Sequence, residues 1–213
     1  ERDVRGPDNK DEKDPEPETQ HGEIEELREP LWAILQQLRE EIEGKGYTTI
    51  IGDDASGRIP TLIMREVLTT LAKDREQQAP KTLFIAGSGT PGKQPGRAEL
   101  DLKRGAIQAL LAEHAPVADQ GRVLIVTDTI ETGSSLQLLC EVLRSLGFSY
   151  DIATIALMGD TDGVSIERRL GGRVLAGISS AESAPQIYFR RNLHSGVRKD
   201  PGELHSRGHG RMD

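Results

Sequence analysis

Short β-rich runs alternate with amphipathic helical patterns along the middle of this chain, and this alternation limits the folds that it can adopt. Strands separated by helices in this way predict an α/β fold, with a central parallel sheet and helices on both faces. The predicted strands are 47–51, 82–86, 123–126 and 152–158, with shorter additions at 173–177 and 187–189. The predicted helices between them are 61–72, 98–114 and a third that ends near Leu146, where Gly147 terminates it.

The two ends of the chain differ from its middle. Residues 1–21 carry mixed charge and almost no apolar side chains, so we predict disorder there. Apolar residues recur at steps of three and four between 23 and 43, which predicts a helix that is broken or kinked at Pro30. The tail at 192–213 lacks periodicity and is expected to be flexible. A single folded domain over 22–191 is therefore predicted.

Composition narrows the possible partners. The net charge of −8 and the 3% aromatic content argue against a general nucleic-acid binder, which needs a basic face and stacking platforms. A phosphorylated small molecule remains compatible, because a few local donors can hold it. The one cysteine, Cys140, cannot form an internal disulfide, and no apolar run approaches the roughly 20 residues that span a bilayer. We expect a cytoplasmic protein that binds neither nucleic acid nor membranes.

The run VLIVTDTIETGSS at 123–135 joins a predicted buried strand to a polar turn and then to a helix. Asp128 and Glu131 are expected at the carboxyl edge of the sheet, where parallel α/β proteins bind ligands. A glycine and hydroxyl residues at a helix N-terminus supply donors that suit a phosphate. An ordinary N-cap formed by Thr132 or Ser134, with solvated acids beside it, is the competing interpretation, and spacing alone does not decide between them.

This run resembles the signature of the type I phosphoribosyltransferases: an apolar strand, acidic positions, a short spacer, an acid, then Thr-Gly and a small hydroxyl residue. The resemblance implies that family's fold, with a small hood formed by about 22–43 and the chain after 179. It implies that Asp128 contacts the ribose hydroxyls and Mg2+ of phosphoribosyl pyrophosphate, and that Glu131 helps to move a proton on the acceptor base. The residues implied to hold the 5-phosphate are Thr132, Gly133, Ser134 and Ser135.

Two positions depart from the family pattern. Thr127, which we include among the ligand-contacting residues, stands where the family usually has its first acid, and Glu131 is one methylene longer than the usual Asp. These changes weaken the prediction of catalysis more than that of binding. Thr127 favours, as the alternative, a regulatory protein that binds phosphoribosyl pyrophosphate or a nucleotide without turning it over, whereas the intact SGR and ETGSS runs favour the enzyme.

The loop after the first strand occupies the place where the family binds pyrophosphate. Ser56, Gly57 and Arg58 there offer a small donor, a backbone that permits close approach and a fixed cation. The competing interpretation is a common turn, with Asp53 and Asp54 capping the following helix.

Two further loops contain candidate residues. The glycine-rich run at 87–97 follows the second strand, where the family has a mobile loop, and Lys93 and Arg97 are candidates to offset pyrophosphate charge. Its G-x-x-x-x-G-K spacing also suggests a nucleotide-binding P-loop, but Gln94 stands where Ser or Thr is required. After the fourth strand, Asp160 and Asp162 are equally compatible with contacting the acceptor and with forming a turn.

The resemblance therefore predicts a homodimeric phosphoribosyltransferase, which transfers a 5-phosphoribosyl group between phosphoribosyl pyrophosphate and a nitrogenous base with the help of Mg2+. Its place would be in nucleotide synthesis or salvage. The aromatic-rich segment typical of the 6-oxopurine enzymes does not follow the fourth strand, so an orotate-type acceptor is slightly favoured.

Overall fold

The computed structural model describes residues 25–44, 46–53, 57–85, 96–115, 121–158 and 162–179, and the backbone alone of 197–198 and 207–208. The helices are α1 (Arg28–Gln37), α2 (Arg39–Glu43), α3 (Arg58–Asp74), α4 (Arg97–His114), α5 (Ser134–Ser145) and α6 (Gly163–Leu170). The strands are β1 (Tyr47–Asp53), β2 (Lys81–Ile85), β3 (Arg122–Ile130), β4 (Ser149–Leu157) and β5 (Arg173–Ile178), with an antiparallel pair, β6 (Val197–Arg198) and β7 (Arg207–Gly208). The segments predicted at 1–21 and 187–189, and most of the tail at 192–213, lie outside the described residues.

Strands β1 to β5 form one parallel sheet in the order β2-β1-β3-β4-β5, which places β3 at its centre. Residues 123–126 of β3 are at most 1% exposed. A central parallel strand is covered on both faces, which is why this run is continuously apolar rather than alternating. The α/β class predicted from the sequence is confirmed.

Two apolar cores lie on opposite faces of this sheet. Helices α1 to α3 contribute to one core, together with Leu124 and Val126 of β3. Helices α4 to α6 contribute to the other, together with Val123 and Ile125. The split within β3 arises because successive side chains of a strand point to opposite faces. Cys140 is fully buried in the second core.

The N-terminal helical segment packs on the sheet. Helix α1 lies over β4 and β5, and a Cβ added to Gly177 of β5 would come within 2.7 Å of Pro30 Cα. Pro30 occupies the first turn of α1, where its missing N–H leaves no helical bond unmade. The predicted break falls at 26–27, just ahead of Pro30, and a further interruption that the sequence did not predict lies at Leu38, between α1 and α2. The hood proposed for this segment and the chain after 179 stays a prediction.

Several element ends differ from those predicted. Strand β3 continues to Ile130 rather than 126, because its polar end keeps pairing with β4. Helix α3 begins at Arg58 rather than 61. The predicted stop at Gly147 is confirmed: its φ is +78°, and the N–H of Phe148 donates to the Leu143 carbonyl at 3.0 Å in a Schellman motif.

Candidate functional site

The carboxyl ends of β1 and β3 form the point at which the chain changes direction across the sheet. Strand β1 leads through α3 to β2 on one side, whereas β3 leads through α5 to β4 on the other. Because α3 and α5 pack on opposite faces, their first turns diverge from the sheet edge. Ligands of open α/β sheets bind in the crevice at such a switch point. Asp128 and Gly133 both belong to the β3 side of this crevice.

The end of β3 extends beyond its pairing with β1. The register between them ends at Gly52 and Val126, whereas the pairing of β3 with β4 continues to Ile130 and Leu157. Residues 127–130 are therefore held in extended form by β4 alone among the described strands. The Thr154 hydroxyl of β4 donates to the Asp128 carbonyl at 3.1 Å, which further fixes this segment.

A threonine lies between two carboxylates at this edge. Thr127 is 1% exposed, and its Oγ1 is 3.3 Å from Asp53 Oδ2 of β1 and 3.4 Å from Asp128 Oδ1. A hydroxyl has one proton, so it donates to only one carboxylate at a time. Asp128 Oδ1 also accepts the backbone N–H of Thr129 at 2.6 Å. Thr127 thus links two acidic side chains from neighbouring strands, and the direct ligand contact predicted for it remains untested.

Asp53, which contacts Thr127, has a different role in the structure from the one that the sequence suggested. It is 6% exposed, and its contact with Thr127 joins residues 74 positions apart in the chain. The sequence suggested only that Asp53 caps the following helix. No local pattern could have revealed the contact, because it depends on β1 and β3 being neighbours in the sheet.

The loop between β3 and α5, residues 131–135, is called the phosphate loop below. Glu131 and Thr132 are exposed, and Gly133 is the N-cap residue of α5 in the left-handed conformation, with φ +73° and ψ 5°. The Thr132 hydroxyl lies 2.9 Å from that of Ser134 and accepts the Ser134 N–H at 3.3 Å. Gly133, rather than Thr132 or Ser134, takes the N-cap position and forms no side-chain cap, although the Thr132 hydroxyl does accept the N–H of the first helical residue.

This backbone geometry suits an anion. A left-handed residue followed by helical ones turns consecutive N–H groups toward one side, as in the nests that bind phosphates. The N-terminus of the twelve-residue helix α5 adds a partial positive charge at the same place. Ser134 and Ser135, the first two residues of α5, add hydroxyls there.

The β1–α3 loop reaches β3 directly. A Cβ added to Gly57 would lie 2.6 Å from the Val126 carbonyl oxygen and 2.9 Å from the Asp53 nitrogen, so this position excludes any side chain. Arg58 then begins α3 and places its guanidinium 4.7 Å from the centre of the Phe84 ring. A cation at a helix N-terminus opposes the helix dipole. Stacking on Phe84 offsets this cost, and a bound anion would offset it further.

The remaining predicted residues are placed as follows. Ser56 and Lys93 lie outside the described residues, as do Asp54, Asp160 and the 87–93 run that suggested a P-loop. Arg97 is exposed and begins α4, and its predicted role stays a prediction. Asp162 is the N-cap of α6: its carboxylate accepts the N–H and the hydroxyl of Ser165 at 2.7 and 2.8 Å, which lowers the pKa of Asp162. The turn-forming interpretation of Asp162 is thereby supported.

A second polar cluster lies at the opposite, amino edge of the sheet. Asp151 of β4 is fully buried and accepts the Tyr47 hydroxyl at 2.7 Å. Arg122 donates to it at 3.0 Å, and Arg173 is 3.4 Å away and also pairs with Glu41 at 2.6 Å. Burial and the hydrogen bond to Asp151 raise the pKa of Tyr47. This cluster ties together residues near the start of four strands, at the end of the sheet opposite the carboxyl edge.

An apolar groove of about 660 Å³ lies between α1 and α3. Its lining includes Trp32, which is 59% exposed, and none of the predicted site residues. Within the described ranges, no three His, Cys, Asp or Glu side chains are grouped so that they could hold a metal ion. No helix in the described part of the chain is long and apolar enough to cross a membrane.

Comparison with known proteins returned structural similarities only. No family model matches the chain, and no curated protein is significantly similar to it. An orotate phosphoribosyltransferase from Aeropyrum pernix is 20% identical over 80% of this chain and 78% of its own, with a TM-score of 0.42. A hypothetical protein from Neisseria gonorrhoeae with bound ppGpp is 14% identical over 80% and 88%, with a TM-score of 0.49. A purine phosphoribosyltransferase from Pyrococcus horikoshii is 19% identical over 73% and 87%, with a TM-score of 0.45. Similarities of this size assign neither an activity nor a substrate.

Proposed function

We propose that this protein binds phosphoribosyl pyrophosphate at the carboxyl ends of β1 and β3 and transfers its 5-phosphoribosyl group to a nitrogen of a base. One observation carries the proposal: the VLIVTDTIETGSS run places a left-handed glycine and a helix N-terminus beside two acidic residues at the switch point of the sheet. The setting supports an anion at this place, and the resemblance of the motif supports a ribose phosphate as that anion.

In this proposal the phosphate loop binds the 5-phosphate through backbone N–H groups and the hydroxyls of Thr132, Ser134 and Ser135. Asp128 contacts the ribose hydroxyls. Arg58, at the start of α3, and the adjacent Gly57 face the pyrophosphate. The roles of Lys93 and Arg97 in offsetting pyrophosphate charge are part of the same proposal.

The residues present also fit Mg2+. This ion is commonly held by one or two carboxylates together with substrate phosphate oxygens. Asp128, half-buried at the ligand edge, is the residue that would hold it, with Asp53 in the neighbouring strand. When bound, Mg2+ would neutralise part of the pyrophosphate charge.

The transfer breaks the bond between C1 of the ribose and the pyrophosphate oxygen, and forms a bond between C1 and the base nitrogen. Pyrophosphate takes the electron pair of the broken bond, so C1 gains positive character that nearby carboxylates stabilise. Glu131 accepts the proton that the base nitrogen loses. Alignment of the two substrates supplies much of the remaining acceleration.

A second candidate function is binding without turnover. It is favoured by Thr127, which stands where the resembling family has an acid and whose hydroxyl is buried between Asp53 and Asp128. A chain with this substitution could sense phosphoribosyl pyrophosphate or a nucleotide and leave it intact.

The test measures binding and turnover separately. Binding of phosphoribosyl pyrophosphate with Mg2+ is measured by calorimetry, and pyrophosphate release is measured with orotate and a panel of purine and pyrimidine bases. We expect Glu131→Gln to lower turnover by about tenfold or more and to leave affinity within a few-fold. Glu131→Asp keeps the carboxylate and restores the residue usual in the family, so it should retain turnover.

Glu66→Gln provides a matched control, since Glu66 is exposed on the outer side of α3 and should affect neither quantity. Binding by the wild type without pyrophosphate release from any base would favour the sensor. No binding at all would refute both functions.

A further inference from the structure

A contact between α6 and the phosphate loop supports an additional role that the sequence did not indicate. Nη1 of Arg169, in the last turn of α6, donates a hydrogen bond to the carbonyl oxygen of Thr132, 37 residues away in the chain. The adjacent Leu170 packs beneath the loop: a Cβ added to Gly133 would lie 3.3 Å from Leu170 Cδ1. Two consecutive residues of α6 therefore contact two consecutive residues of the loop.

The last turn of α6 is itself firmly held. Leu170 is fully buried, and its carbonyl accepts the Tyr150 hydroxyl at 2.5 Å. The Glu167 carboxylate accepts the backbone N–H of Val174 at 2.8 Å, which ties α6 to β5. Gly171 ends the helix in the left-handed conformation, with φ +75°. Arg169 thus reaches the loop from a fixed base rather than from a mobile surface turn.

The bond to Thr132 determines the direction of the next amide. A trans peptide is planar, so the Thr132 C=O and the Gly133 N–H point in opposite directions. With the carbonyl directed to Arg169, the Gly133 N–H is directed away from α6. Rotation of this peptide plane would instead present a carbonyl oxygen, which repels a phosphate, where a donor is needed.

We infer that Arg169 is a positioning residue, which orients the Thr132–Gly133 peptide so that the Gly133 N–H faces a bound phosphate. This inference rests on the proposed function of the phosphate loop. Arg169 does not need to touch the ligand in this role. Its guanidinium also carries charge, so the test must separate orientation of the peptide from simple attraction between charges.

The experiment follows the Gly133 amide by NMR while ribose 5-phosphate, and separately inorganic phosphate, is titrated into the full chain. In the wild type we expect the Gly133 N–H resonance to move downfield on binding of ribose 5-phosphate. Arg169→Gln should weaken ribose 5-phosphate binding by about tenfold, of the order expected for losing a hydrogen bond to a charged group, and should reduce that movement. Arg169→Lys keeps the charge and a donor without the planar fork, so it should lie between the two.

Arg168→Gln is the matched control, because it removes the same charge from the neighbouring exposed position on α6. We expect it to bind ribose 5-phosphate as the wild type does. An equal loss in Arg168→Gln and Arg169→Gln would show an effect of net charge and overturn the inference. The inference would also be overturned if Arg169→Gln bound ribose 5-phosphate as tightly as the wild type and showed the same shift of the Gly133 N–H resonance. If the Gly133 N–H resonance of the wild type does not shift with either ligand, the proposed function of the phosphate loop is refuted instead. If Arg169→Gln does not fold, Arg169→Lys carries the same comparison.

Discussion

Substituting Gly133 by alanine tests whether the left-handed turn of the phosphate loop serves binding or only the fold. Gly133 has φ +73°, a conformation that costs an L-residue about 1–2 kcal/mol. The new Cβ would also lie 3.3 Å from Leu170 Cδ1, a contact that is tight but needs a shift of only a few tenths of an ångström. We therefore expect a loss of about 1–2 kcal/mol in the free energy of unfolding.

Gly46 supplies the control. Its φ is +70°, nearly that of Gly133, and a Cβ added there would meet nothing within 4 Å. Gly46→Ala should therefore have a similar backbone strain without any change at the switch point. Comparison of the two variants in urea unfolding separates the strain from the local contact with Leu170.

The two variants should differ in binding. Relief of the strain in Gly133→Ala would rotate the flanking peptide planes and turn one or more N–H groups away from the phosphate. Losing one hydrogen bond to a charged group corresponds to about 10- to 100-fold in affinity. We expect calorimetry to show this loss for Gly133→Ala with phosphoribosyl pyrophosphate and Mg2+, and no loss for Gly46→Ala. Unchanged affinity in a folded Gly133→Ala protein would refute the assignment of the loop.

Three further predictions concern other parts of the chain. Arg58→Ala should weaken the binding of phosphoribosyl pyrophosphate about tenfold, a larger loss than it causes for a ribose 5-phosphate mononucleotide. Arg65→Ala, on the exposed side of α3, should change the affinity for neither ligand, and equal losses for both ligands in Arg58→Ala would make Arg58 structural. Asp151→Asn should lower the free energy of unfolding by about 2 kcal/mol, because it removes a fully buried carboxylate that accepts from Tyr47 and pairs with two half-exposed arginines. Glu43→Gln, at an exposed pair, should not move the urea midpoint, and matching midpoints for the two variants would contradict this. Burial raises the pKa of Cys140 to about 12, so at pH 8 an aromatic disulfide should label it only after unfolding, and rapid labelling of the folded protein would show that it is accessible.

Much of the candidate site could be predicted because its residues are contiguous. A buried strand, a polar turn and a helix start are each encoded within a few residues, so 123–135 alone indicated where Asp128, Glu131 and Gly133 would emerge. The same local encoding predicted the α/β class and the stop at Gly147. Element ends were less accurate where polar residues stay extended, as in the last residues of β3, because pairing with β4 and not side-chain hydrophobicity keeps them in the strand.

Contacts between residues of different helices and strands could not be predicted from the sequence. The contact of Thr127 with Asp53 requires β1 and β3 to be neighbours although β2 lies between them in the chain. The bond from Arg169 to the phosphate loop requires a particular packing of α6 beside α5. Local sequence determines which backbone state each segment prefers. Strand order and helix packing depend on how the whole chain buries its apolar faces, and only that global arrangement brings together polar groups that are far apart in the chain.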